Sequence, residues 1–506
     1  MPSVSTYSRL RFRSTEGAGG NPRGPEGTPG ALALVVLPVV LALTLGLWGI
    51  GRDGSLWGDE AVSLEVAHRS TGQIWQLAHH VDAVHTLYYL LLHGMFQLHD
   101  GGPALLRLPS VLGTAAAAAG VALIGRRLAG PRAGLAAGLV LPVFPAVQQY
   151  AQEGRSYALV MAAVVFSGLL LLRAVERPGP GRWCAYAAAA LFTCLLHEYA
   201  ALAVAAHAVT LGLARVPRRV WAGWCAAMAA VLAGLAPLAV AGTEQAQQVA
   251  WITAPTTGTV LFAAGMCLLG ALCALVPQRP AGAGTRAGAV TLRRFALPLL
   301  LLPQGLLLGV SLVHPVYLDR YVLFEYAGLA LLVGSALDAL GRRLPRIGWR
   351  ALLAVPLALL LLLPVETQLR TPQSRSDDLQ GTARAVAALA EPGDGVLFMP
   401  TSRRQSELAF PQDYAGLTDL ALSAPVDGSA TLGGVELTPQ QIKDRMADFT
   451  RIITVRTRGK GPSPTAAARD KAKQAALTAG FQKCAGLDVK GVEISLYARP
   501  GACPSR

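Results

Sequence analysis

Between Ala31 and Val365 the chain is a succession of long apolar runs, and the short gaps between them are alternately rich and poor in arginine. A helix needs roughly 20 apolar residues to cross about 30 Å of hydrocarbon. The runs at 31–50, 104–124, 133–149, 156–174, 183–197, 199–214, 220–241, 258–277, 295–313, 322–340 and 351–366 are each read as one span. Arg126/Arg127/Arg132, Arg173/Arg177/Arg182, Arg215/Arg218/Arg219, Arg279/Arg286/Arg293/Arg294 and Arg342/Arg343/Arg346/Arg350 fill every second gap. Cytoplasmic loops carry the basic excess. An eleven-span count therefore puts the N-terminus in the cytoplasm and everything after the last span outside. The expected fold class is a polytopic α-helical membrane protein of about eleven transmembrane helices, in the plasma (inner) membrane, with a small C-terminal extracytoplasmic α/β domain.

Composition supports this and removes a competing class. Apolar residues make up 53% of the chain and charged residues 15%, against about 25% charged in soluble domains. A net charge of +14 could point to nucleic acid. However, every basic residue before Lys443 other than histidine is an arginine, and most sit in the gaps, as expected of loops at an anionic leaflet. No nucleic-acid partner is assigned. Residues 1–30 are Gly/Pro-rich and read as a disordered cytoplasmic N-terminus. The run that follows is too long for a signal peptide and lacks a small-residue cleavage site, so it is taken as an uncleaved first span.

Two segments lie outside the membrane-spanning part. The loop 51–103 carries helix-like stretches at 65–78 and 86–98, the second apolar nearly all round and expected to lie in the interface. Residues 367–506 read as a soluble α/β domain with helices near 376–391, 438–448 and 464–479 and strands at 395–399, 451–456 and 492–498. No Gly-rich phosphate loop follows any of these strands, which suggests a lid, a support or a docking module. Cys484 and Cys503 fall in this part, where disulfides persist, and are expected to bridge.

Five polar clusters interrupt the pattern, all on the outer face under this orientation: Asp59-Glu60 just past the first span, Asp82 to Tyr89, Gln152 to Tyr157, His197-Glu198-Tyr199 and Asp319-Arg320-Tyr321. Each has a bland reading. Paired loop acids are usually solvated, Trp57 can anchor at an interface, Asp82 can cap a helix, Arg155 can snorkel, and a tight turn needs polar groups at His197. Taken together they bring acids and arginines to one membrane surface. A reaction between a lipid-linked phosphosugar and an outside acceptor needs that: a base for the acceptor and cations for the phosphate. No His/Cys/carboxylate set has a closed metal-ligand spacing. No metal ligand and no cofactor are assigned, and an open divalent-cation site at Asp59 or Glu60 stays as an alternative.

The ordered set Trp57-Gly58-Asp59-Glu60-Ala61, Asp82-Ala83-Val84-His85 with Leu87 to His93, Arg107-Leu108-Pro109-Ser110, Gln152-Glu153-Gly154-Arg155-Ser156-Tyr157 and Arg320-Tyr321 resembles the GT-C superfamily of polyprenyl-phosphate-sugar glycosyltransferases. Within it, the set is most similar to bacterial proteins like the protein O-mannosyltransferases and the aminoarabinose transferase. The resemblance covers roughly 31–340, within a GT-C-like transmembrane domain of 31–366 that includes the outer loop, and leaves 367–506 outside. It implies that Asp59 is the catalytic base with Glu60 beside it. Arg155 would lie near the donor phosphate and Arg320 would be a second phosphate ligand. Asp82, His85, Tyr88, Glu153, Tyr157, His197 and Tyr321 are expected to line the substrate site. Val84-His85-Thr86 replaces the prolines common in this motif, and Gly154 stands where alanine is usual.

The implied function is transfer of a monosaccharide, mannose by analogy, from a polyprenyl-phosphate donor to an extracytoplasmic glycan, glycolipid or protein. Single displacement would invert the anomeric centre. Two alternatives stay open: a transporter or flippase of a lipid-linked sugar, and an inactive scaffold of envelope assembly. Membrane lipid is a partner under all three.

Overall fold

The computed structural model describes residue 30 and residues 32–245, 251–277, 290–343, 348–458 and 467–504. The segment read as disordered, up to residue 29, and Arg279, Arg286 and Arg346 lie outside the described residues.

Every one of the eleven apolar runs is helical: α1 (Ala33–Leu47), α5 (Gly102–Ala129), α6 with α7 (Pro131–Val140, Pro145–Ala151), α8 (Tyr157–Glu176), α9 (Pro180–Leu196), α10 (Ala201–Ala214), α11 (Arg218–Glu244), α12 (Thr257–Leu275), α13 (Leu292–Ser311), α14 (Glu325–Arg343) and α15 (Ala354–Leu369). Six helices are long and apolar enough to cross a membrane, among the described residues, or seven if the α6–α7 pair counts as one broken span. The chain is a multi-pass membrane protein. The α6–α7 pair bends by 66°, where Pro142 and Pro145 remove backbone donors. The helices α9, α10, α14 and α15 are shorter or more charged than the six.

The helix α5 is the centre of the bundle and packs along α1, α6 and α8. Small side chains permit this. A Cβ on Gly125 would come within 2.7 Å of the Cα of Gly134 on α6, so the two backbones approach as only glycine allows.

The loop after α1 folds into α2 (Gly58–His68), α3 (Thr71–Ala78) and α4 (Thr86–Leu98). The single helix expected over 65–78 is two, because Ser70 and Gln73 form a capping box that restarts the chain. The helix α4 is not a freely interfacial one. It buries Tyr88, Tyr89, Leu92 and Phe96 and packs against α2 and α3.

From Leu379 the chain forms an α/β unit. Its five-stranded sheet has the order β2-β1-β5-β7-β6, with β1 Gly395–Met399, β2 Thr418–Asp419, β5 Arg451–Thr457, β6 Gln482–Val489 and β7 Val492–Ala498. A small antiparallel pair, β3 (Leu422–Ala424) and β4 (Val435–Glu436), stands beside it. The strand β1 runs parallel to β2 and β5, while β7 is antiparallel to β5 and β6. The helices α16 (Leu379–Leu389), α17 (Gln405–Ala409), α18 (Pro439–Ala447) and α19 (Ala467–Gly480) complete the unit. Cys484 and Cys503 are bridged, with Cα atoms 5.5 Å apart. One apolar core joins α2, α3 and α4 to α16 and to strands β1, β5 and β7, so this unit is seated on the outer loop.

Candidate active site

Asp59 and Glu60 occupy the first turn of α2, where the helix dipole favours negative charge. Adjacent residues on a helix point about 100° apart, and here the two carboxylates part company. Asp59 stays about one-third exposed, with its Oδ2 3.6 Å from Nη2 of Arg320. Glu60 is fully buried and receives Nε and Nη2 of Arg107, both at 2.7 Å, as well as the backbone N–H of Gly154 at 3.1 Å. Arg52 lies 3.6 Å away. Burial pushes the Glu60 carboxyl up, but the charge and hydrogen bonds of Arg107, then Arg52 and Arg375, outweigh it and hold it at about 2. Glu60 is therefore a buried anion that ties α2 to α5.

Glu153 is held in a similar way. It is buried against Arg375, with Nε to Oε1 2.8 Å, and its backbone carbonyl accepts from Ser110 at 2.6 Å. It sits in the turn that carries Arg155, and its Oε2 has no hydrogen-bond partner among the described residues.

Arg155 is 6% exposed. Its Nη2 donates to Nε2 of His85 at 2.6 Å, and its Nη1 lies 3.3 Å from the hydroxyls of Tyr89 and Ser63. Tyr89 in turn donates to Asp82, and His85 Nε2 is 3.9 Å from the same carboxylate. Burial, then the charges of Arg155 and Arg320, hold the His85 imidazole well below its ordinary 6.5. The ring is therefore neutral and can accept from Arg155 through Nε2, which leaves the proton on Nδ1. The departure from the usual prolines at Val84-His85-Thr86 thus supplies the seat for Arg155.

Aromatic rings connect this half to the other. His85 lies 5.7 Å from His197, which packs on Tyr157 at 5.6 Å and Tyr321 at 4.8 Å. The guanidinium of Arg320 lies between 5.7 and 5.8 Å from the rings of Trp57, Tyr157, Trp251 and Tyr321. Such rings hold a cation by their π faces. A continuous chain of contacts therefore runs Asp59–Arg320–Tyr157–His197–His85–Arg155–Tyr89–Asp82. Tyr88 lies fully buried beside it.

Seven buried polar atoms in this cluster have no hydrogen-bond partner among the described residues: Trp57 Nε1, His85 Nδ1, Tyr88 Oη, Arg155 Nε, Ser156 Oγ, His197 Nδ1 and Arg320 Nε. All but His197 Nδ1, whose tautomer is not fixed by a partner, carry a hydrogen to donate. Buried donors of this kind suit an acceptor-rich group such as a phosphate. A cavity of about 610 Å³ between α5, α8 and α9 is lined by apolar side chains that include Phe166, Phe192, Leu159 and Leu196. Leu159 and Leu196 stand two residues and one residue from Tyr157 and His197.

The donor set does not suit a divalent cation at Asp59 and Glu60. Glu60 is committed to Arg107, and a guanidinium stands beside Asp59. Among the described residues no three His, Cys, Asp or Glu side chains gather to hold a metal ion.

Sequence reading passed over Trp251, and it gave no role to Arg107, Arg375, Asp377 or Arg403. The motif Arg107-Leu108-Pro109-Ser110 was a signal for the first of these, since an arginine inside an apolar run needs a buried partner. The others sit in unremarkable loop sequence.

Residues 86–242 match the family model described as dolichyl-phosphate-mannose-protein mannosyltransferase. No curated protein matches the sequence. The chain is similar to the crystal structure of ArnT from Cupriavidus metallidurans in the apo state, with TM-score 0.58 and 14% identity over 92% of this chain and 98% of that one. The crystal structure of the same protein bound to undecaprenyl phosphate gives TM-score 0.56 and 13% identity over the same shares. At that identity the likeness speaks for the fold. With the family match over residues 86–242, it bears out the resemblance that the motifs carry to the GT-C superfamily of polyprenyl-phosphate-sugar glycosyltransferases.

Proposed function

We propose that the protein transfers one monosaccharide from a polyprenyl-phosphate donor to an acceptor outside the cytoplasm, with Asp59 as base. One observation carries this reading: a partly exposed carboxylate stands 3.6 Å from a guanidinium that belongs to a buried cluster of unpaired donors. The apolar cavity between α5, α8 and α9, lined by near neighbours of Tyr157 and His197 in the chain, suits a prenyl chain, and the donors suit its phosphate. In the step itself, the acceptor hydroxyl attacks the anomeric carbon and its proton passes to Asp59. The bond from that carbon to the phosphate oxygen breaks, and the lipid phosphate departs with its charge met by Arg155 and Arg320. One displacement inverts the centre. Asp82, His85, Tyr88, Tyr157, His197 and Tyr321 shape the donor side.

The orientation belongs to the same proposal. We keep eleven spans, a cytoplasmic N-terminus, and an extracytoplasmic 51–103 and 367–506, on the strength of the arginine alternation. Nucleotide sugars are confined to the cytoplasm, so a site on the outer face calls for a lipid donor. Mannose is the first sugar to try, because the matching family model carries it in its description. A transporter would hold its cargo near the bilayer midplane on broken helices. Here the ionisable groups sit at helix ends and in the outer loop, which favours the enzyme.

The test is incorporation of label from radiolabelled polyprenyl-phosphate-mannose, and from a panel of other polyprenyl-phosphate sugars, into acceptor material in membranes. Transfer from one of these donors is expected. Movement of the lipid-linked sugar across the bilayer with no transfer from any of them would favour the transporter.

A further inference from the structure

The helix that carries the proposed base has no cap of its own. Its N-cap residue is Trp57, whose side chain makes no capping hydrogen bond. The N–H of Gly58 instead donates to Oδ1 of Asp377 at 3.1 Å, 319 residues further along the chain. The backbone reinforces this, because Leu379 N–H donates to the carbonyl of Leu56 at 3.1 Å. The Asp377-Asp378 pair therefore serves two helices. Asp378 caps α16, accepting from Gly381 N–H at 2.9 Å, and Asp377 caps α2.

Asp377 is held in turn. Nη1 of Arg403 lies 3.3 Å from its Oδ2, and Nε of Arg403 donates to Thr457 at the end of β5 at 2.8 Å. A line of contacts thus runs from the sheet through Arg403 and Asp377 to the first turn of α2, one residue from Asp59. Gly58 carries independent testimony. A Cβ there would meet Oε1 of Gln405 on α17 at 2.9 Å and Oδ2 of Asp377 at 3.5 Å. The C-terminal unit packs so closely on the motif that a side chain at this position would push the two apart.

We propose that Asp377, held by Arg403, is a positioning residue that fixes the first turn of α2 and so sets Asp59 against the acceptor, which makes the C-terminal unit a working part of the active site. This rests on the proposed transferase reading. Arg403 also balances the charge of Asp377, so that a second carboxylate near Asp59 does not stand alone. An N-cap oxygen lost to alanine loosens the first helical turn, and loosening by even about 1 Å at a base can cost on the order of 100-fold in rate. The amide of Asn can still accept from Gly58.

The experiment compares the full-length protein with Asp377→Ala, Asp377→Asn and Arg403→Ala. Turnover is expressed per site that binds labelled polyprenyl phosphate, so that misfolded molecules do not count. Hydrogen exchange is followed on peptides spanning 56–62. We expect Asp377→Ala to lower turnover per binding site by about 10-fold or more, with donor KM changed by no more than about twofold. Exchange at 56–62 should rise, and Asp377→Asn should restore both values most of the way. Arg403→Ala should fall between them. Unchanged exchange at 56–62 in Asp377→Ala, or a loss of binding sites with full turnover in those that remain, would overturn the proposal. A wild-type protein that binds the lipid but transfers no sugar would count against the transferase reading, and the exchange data would still decide the contact.

Discussion

Asp59 and Glu60 are neighbours in sequence and opposites in environment. One is about one-third exposed with a guanidinium 3.6 Å away, and the other is sealed under Arg107. Nothing local separates them, because the partner that decides Glu60 sits 47 residues away on another helix. Removing one partner of a buried ion pair leaves an uncompensated charge and costs about 3–5 kcal/mol. Glu60→Gln should therefore lower the stability of the detergent-solubilised protein by that order, read as a lower thermal midpoint. The pH dependence has a definite sign. The folded carboxyl is depressed from an ordinary 4.5 to about 2, so its contribution is present above about 4.5 and lost as the pH falls towards 2. The Glu60→Gln variant should lack that part of the acid limb. Arg320 gives a second prediction at this scale. Its planar head is stacked among four rings, which an ammonium cannot reproduce. Arg320→Lys should weaken binding of polyprenyl phosphate by about 10-fold or more, the scale of a charge-assisted contact, measured by competition with labelled lipid. Retention of wild-type affinity would remove Arg320 from the phosphate side.

At the scale of elements, the sequence was readable where burial is uniform and unreadable where partners decide. The strands β1, β5 and β7 announce themselves as short runs of β-branched and aromatic residues, and all are largely buried. The strand β6, Gln482–Val489, was passed over: it is a mostly exposed edge held by β7. Its other support is the Cys484–Cys503 bridge, which closes a loop with a sequence separation of 19. A loop of about this size is worth about 3 kcal/mol. The double substitution Cys484→Ser/Cys503→Ser should lower the thermal midpoint accordingly, and non-reducing peptide maps should show the two cysteines linked in the native protein. The break between α2 and α3 falls in the polar run 68–73, where the Ser70 hydroxyl restarts the helix. Asp377, which joins the C-terminal unit to the outer loop, was invisible because its meaning lies in a contact more than 300 residues distant.

The whole molecule is a helical bundle whose polar chemistry is gathered at one end, with an α/β unit seated over it. The apolar runs mark the helices, because a helix satisfies its own backbone hydrogen bonds in lipid. The side on which the site lies rests on arginine counts. A cysteine placed in 51–103 or in 367–506 should be labelled in intact cells by an impermeant thiol reagent, and one placed at 176–182 should react only after lysis. Labelling of the last without lysis would reverse the orientation and remove the argument for a lipid donor. The convergence itself is best tested in one turnover. The donor identified in membranes is loaded first, excess acceptor is added, and product is followed in wild type and in Asp59→Asn. If Asp59 is the base and the arginines hold the lipid phosphate, the variant should retain the donor and form product more slowly by a factor of about 100 or more. Product formed at the wild-type rate by a donor-loaded Asp59→Asn protein would contradict it.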